Sequence, residues 1–121
     1  MSPEQARRAL DASLARYGQT VLLERLSPPS MAVLASVSVQ AHIIDYTPQD
    51  MFSGIGLQMG DSKMTMSTTE VTDADWPSVG ASPIPRKGDR VIIAGRTRTV
   101  LFGWAAPYVD GELVRIELSI R

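Results

Sequence analysis

From Val33 to Asp45 the chain alternates between apolar and polar residues with almost no interruption. Val33, Ala35, Val37, Val39, Ala41 and Ile43 fall on one side, and Ser36, Ser38, Gln40 and His42 on the other. Successive side chains of a strand point to opposite faces, so this period of two specifies a long strand with one face for the core and one for solvent. The end of the sequence repeats the pattern. Leu113, Arg115, Glu117 and Ser119 interleave with Val114, Ile116, Leu118 and Ile120. Ahead of it lie two strand-like runs, Arg90–Ala94 and Arg96–Gly103, separated by Ala94-Gly95, and the turn Asp110-Gly111 precedes the last run. Asp-Gly suits tight hairpins because both central positions take positive φ. The final third therefore reads as a three-strand antiparallel meander.

Other strands are expected at Thr20–Leu26, ended by Ser27-Pro28-Pro29-Ser30, and at Ser62–Ser67, where Met64 and Met66 oppose Lys63 and Thr65. A helix is expected over about residues 3–17. Ser2 can cap it, Pro3 suits its first position, Gln5 completes a capping box, and Gly18 is the natural stop. Its apolar positions are Ala6, Leu10, Leu14 and Tyr17. A helix this short is marginal alone and must dock on its own barrel or on a neighbour. The stretch 68–77 reads as an acidic loop with at most one helical turn, anchored by Trp76. Trp104 and Tyr108 are expected to close the core near the last turn. At 121 residues this is one domain, mainly β: a small antiparallel β-barrel or sandwich of about six strands with an N-terminal α-helix.

The composition narrows function by exclusion. The chain has no cysteine, so disulfides, thiolate catalysis and sulfur-based zinc sites drop out. It has one histidine, His42, on the polar face of the long strand, with Asp45 directed to the opposite face, and this leaves no triad. Glu70, Asp73 and Asp75 do not have the spacing of a calcium loop. No metal, no cofactor and no enzymatic activity are expected. No apolar run approaches the roughly 20 residues needed to cross a bilayer, and Met1–Gln5 does not open a signal peptide, so a cytoplasmic setting without membrane contact is expected.

The net charge of −1 conceals an uneven distribution. Residues 45–75 carry six acids and one base, whereas residues 76–121 carry seven bases and four acids. Arg90, Arg96 and Arg98 form a candidate basic patch. Within the acidic stretch lies a loop at about 46–60 that holds Asp50, Met51, Phe52, Gly54, Ile55, Gly56, Leu57 and Met59. Its three glycines and a proline oppose regular structure, yet it is apolar. Such a segment is costly to leave in water, so a contact with a partner is expected.

The order of these parts resembles a known family. The helix ends in Ala15-Arg16-Tyr17-Gly18 and leads to Val21-Leu22-Leu23-Glu24-Arg25-Leu26. The loop carries Pro48-Gln49-Asp50-Met51 and Gly54-Ile55. Then come Gly60-Asp61-Ser62-Lys63-Met64-Thr65-Met66-Ser67, Trp76-Pro77, Pro85-Arg86-Lys87-Gly88-Asp89-Arg90-Val91 and Asp110-Gly111-Glu112-Leu113-Val114-Arg115. From about residue 5 to 121 this is similar to the head-tail joining proteins of long-tailed phages, also called head-completion or stopper proteins of the neck.

The resemblance implies a structural virion protein, assembled in the bacterial cytoplasm into a homo-oligomeric ring of six or twelve copies. The ring would sit between a portal-side adaptor and the tail terminator or tail proteins of a phage or gene-transfer particle. Double-stranded DNA would pass through its lumen without sequence-specific contacts. The loop at 46–60 would face the channel or a neighbouring subunit, and Leu10, Leu14 and Tyr17 would form a helix interface. The residues also leave open a second class, an oligonucleotide-binding type of barrel acting on single strands, which would need exposed aromatics and a positive groove.

Overall fold

In the computed structural model, which describes residues 2–51, 56–106 and 108–121, six antiparallel strands close into a barrel. The strands are β1 (Gln19–Ser27), β2 (Ala32–Asp45), β3 (Ser62–Ser67), β4 (Arg90–Ile93), β5 (Arg96–Ala106) and β6 (Arg115–Ile120). Around the barrel they run β1-β2-β3-β6-β5-β4, and β4 returns to β1. Helix α1 (Pro3–Tyr17) precedes the barrel. A helical turn, α2 (Pro48–Met51), follows β2, and α3 (Thr69–Asp73) follows β3.

The barrel interior is the set that the alternation selects. Val21 and Leu23 of β1, Val37, Val39 and Ala41 of β2, Met64 and Met66 of β3, Val91 of β4, Val100 of β5 and Ile116, Leu118 and Ile120 of β6 form one buried cluster. Val71 of α3 and Trp76 join it. The two hairpin turns behave as expected. Ala94 and Gly95 have φ of 49° and 82°, and Asp110 and Gly111 have 48° and 80°. Both positions of each turn are left-handed, which matches the twist of the flanking strands.

Helix α1 has the expected bounds. The Ser2 side chain accepts from the Gln5 amide, and the Gln5 side chain returns the bond to the Ser2 amide. Gly18 ends the helix for a different reason from the one expected. Its φ is −91°, in extended backbone, and a Cβ there would lie 2.6 Å from the Leu14 carbonyl oxygen and 2.7 Å from that of Ala41. Glycine is needed because the chain passes so close to β2.

Several expectations are corrected. Tyr108 is exposed and Trp104 lies on the outside of β5, tilted against Phe102 at 5.4 Å between ring centres, so neither closes the core. Trp76, 2% exposed, is the tryptophan that does. Val33 is exposed although the alternation assigns it to the core face. The pairing slips there, because Arg25 faces Ala35 but Leu26 faces Val33, and Leu34 is the extra residue. One added residue turns everything beyond it to the other face. The last strand begins at Arg115 and not at Leu113. The loop at 46–60 is not free of regular structure, since α2 occupies Pro48–Met51.

Candidate functional site

Strand direction gives the barrel two distinct ends. One carries the loop between β2 and β3, the Ala94-Gly95 turn and Arg121. The other carries the β1–β2 hairpin tip, α3 and the approach to β4. The loop end is the candidate site, and its chemistry centres on Asp61, which is 1% exposed. Arg121 grips that carboxylate with two bonds, Nε to Oδ1 at 3.1 Å and Nη2 to Oδ2 at 3.0 Å. The Gln58 amide donates to Asp61 Oδ2 at 2.8 Å, and the Asp61 amide donates back to the Gln58 carbonyl at 3.0 Å. Two further arginine contacts reach loop carbonyls: Arg121 Nη2 to Gly56 O at 3.2 Å and Arg98 Nη2 to Gly60 O at 2.7 Å. On the outgoing limb, the Tyr46 amide donates to the Asp61 carbonyl at 3.1 Å. The Tyr46 hydroxyl lies 2.5 Å from Ser119 Oγ. The loop is thus clasped at its base by β5, β6 and Arg121.

Electrostatics reinforce the clasp. The Arg121 guanidinium, bonded to Asp61, holds its carboxyl below the ordinary value of 3.8 despite the opposing pressure of burial. The Gln58 amide and the charge of Arg98 add to the effect. Asp61 in turn raises the affinity of Arg121 for its proton.

Of the residues singled out in the loop, Gly56, Leu57 and Met59 are described. Met59 is 77% exposed, Leu57 is half-buried, and Ile44 near the end of β2 is exposed. Phe52, Gly54 and Ile55 lie outside the described residues, as do the side chains of Asp50 and Met51.

The helix residues divide. Leu14 is buried in its own chain, so it serves the barrel and not a neighbour. Tyr17 is exposed. Leu10, half-buried, lines an open apolar cleft of about 250 Å³ with Ala6, Val109, Val114 and Arg115. The candidate basic patch dissolves. Arg90 Nε bonds Glu24 Oε1 at 2.7 Å, Arg98 holds loop carbonyls, and Arg96 is exposed. Among the described residues no group of three or more metal-binding side chains gathers, and no helix is long and apolar enough to cross a membrane.

Sequence reading misses two charge clusters. One is the clasp. The other closes the opposite barrel end, where Arg25 binds Asp89 through Nε at 2.8 Å and Nη2 at 3.0 Å, and lies over the Trp76 ring at 5.0 Å. Both charges are buried. The signal was present: Glu24 and Arg25 interrupt an apolar strand, and charges held there require partners.

No protein-family model, no curated protein and no solved structure matches this chain.

Proposed function

We propose that the protein is a structural connector: a ring-forming subunit of the neck of a long-tailed phage or phage-like particle, which joins head to tail around the DNA channel. The single observation that carries the reading is the clasped loop. Two arginines and a buried aspartate fix the base of an apolar segment at one barrel end and leave Met59 in water. The opposite end adds weight. There the hairpin tip exposes Met31, Val33 and Leu34. Apolar surface at two different ends suits head-to-tail contacts between identical copies, which close into rings. The barrel interior is filled by apolar side chains, so recognition falls to the outside. A portal-side adaptor on one face, tail proteins on the other and double-stranded DNA through the lumen complete the proposal. The acidic loop region would let DNA slide, because retention requires neutralised phosphates.

Particles assembled with a chain that lacks residues 50–58 test it. The shortened protein should fold as a monomer yet leave particles that lose DNA or fail to join tails. Particles that keep their DNA and acquire tails at the normal rate would refute the role of the loop.

One observation favours a second reading, a barrel that binds single-stranded nucleic acid: Phe102 and Trp104 form a tilted pair on the outer face of β5. Stacking on such a pair would quench tryptophan fluorescence in a salt-sensitive way. A Trp104→Ala protein that binds an oligonucleotide as the parent does would dismiss it.

A further inference from the structure

We infer that the uncovered edge of β2 pairs two copies of this chain about a two-fold axis. This contact uses the side of the barrel, whereas the ring proposal uses its ends, so either can fail without the other. β1 covers one edge of β2 over Ala32–Ala41, and β3 covers the other edge over Ala41–Asp45 alone. Among the described residues, no strand lies along the second edge from Ala32 to Val39, and no loop bonds to its backbone.

Gln40 shows which groups face outward. Its amide donates to Glu70 Oε2 at 2.7 Å, away from β1. Backbone groups alternate in direction along an antiparallel strand, so Ser38 and Ser36 also turn N–H and C=O toward the open side. An unpaired row of this kind is a template for another strand, and proteins usually blunt it with charge or proline. The segment Ala32-Val33-Leu34-Ala35-Ser36-Val37-Ser38-Val39 contains neither.

The edge is complementary to itself, which makes a second copy the occupant. An axis at Val37 sets Ser36 opposite Ser38 of the other copy and Ser38 opposite its Ser36. All four present outward groups, so both pairs exchange N–H···O=C bonds, while Val37 meets Val37 in the intervening non-bonded position. No like charges meet. The same axis sets each Leu34 opposite Gln40 of the other copy. The ladder ends at this pair, because the Gln40 amide is held by Glu70 and β3 covers β2 from Ala41 onward.

One short edge makes a small interface, so the dimer should be weak, with a dissociation constant on the order of 100 µM. Sedimentation of the full chain from about 10 µM to 1 mM should show monomer passing to dimer over that range. Ser36→Lys, which puts a charge on an exposed edge residue, should shift dissociation at least tenfold upward with thermal unfolding unchanged. Ser38→Pro should do the same, because that amide serves no bond within its own barrel. Mixing Ser36→Cys with Ser38→Cys protein under mild oxidant should give a mixed disulfide dimer, and neither protein alone should. This readout stands even if the proline variant fails to fold. A monomer at every concentration would overturn the inference and leave the edge to a strand of a different protein. So would a dimer that is indifferent to Ser36→Lys, or the absence of the mixed disulfide.

Discussion

At the scale of single residues, the strongest commitments are buried charges. Arg25 and Asp89 satisfy each other in two bonds, and Asp89 Oδ2 also accepts the Arg86 amide at 2.9 Å. Removing one member strands the other in the core, so Asp89→Ala should lower unfolding free energy by about 3–5 kcal/mol, measured by urea denaturation. Replacing both with apolar residues of similar volume should cost much less. Ala94 is the reverse case. It holds φ 49° at an exposed turn position that favours asparagine or glycine. Ala94→Asn should raise stability by about 0.5–1 kcal/mol, visible as a higher melting temperature. Asp61 supplies a pH test with a definite sign. Its carboxyl is held below 3.8, so its contribution is complete above that value and fades as pH falls through the lower folded value. Asp61→Asn should therefore destabilise by about 1 kcal/mol at neutral pH, and its gap from the parent should narrow below about pH 4.

At the scale of elements, the strands were legible because a half-buried strand writes its two faces into alternate residues. Met64 and Met66 against Lys63 and Thr65, and Ile116, Leu118 and Ile120 against Arg115 and Glu117, needed nothing more. Irregularities were not legible. The slip at Leu34 depends on how β1 and β2 register, and a single strand carries no mark of its partner's register. Tyr108 misled because an aromatic beside a turn suggests an anchor, whereas Trp76, held under Arg25, supplies it. For α1, the capping residues gave both ends, but the reason for Gly18 lay in its nearness to Ala41, which only the fold creates. Gly18→Ala would press a methyl group against two backbone oxygens that cannot yield. It should cost about 1–3 kcal/mol, with loss of protection first in the amides of α1, measured by hydrogen exchange.

At the scale of the whole molecule, a six-stranded antiparallel barrel with an N-terminal helix was foreseeable, and the strand order was not. The meander β4-β5-β6 joins neighbours in sequence, but β3 pairs with β6 across the 47 residues that separate Ser67 from Arg115. Local pattern cannot reveal such a pairing. The clasp was hidden in the same way, since Asp61 and Arg121 meet only because β3 and β6 lie side by side. Removing residues 50–58 takes away the Gln58 and Gly56 contacts of the clasp but no residue of the β3–β6 ladder. Circular dichroism and a single cooperative unfolding transition should show the parent fold retained.

The place of β6 between β3 and β5 bears on how the molecule comes into being. A growing chain that has delivered every residue through Ala106 still has an open sheet, with two strand borders waiting on β6. Such an intermediate exposes greasy margins in the crowded cell. Closure of the wall and fastening of the loop by Arg121 arrive together, so a polypeptide cut short before β6 should acquire neither.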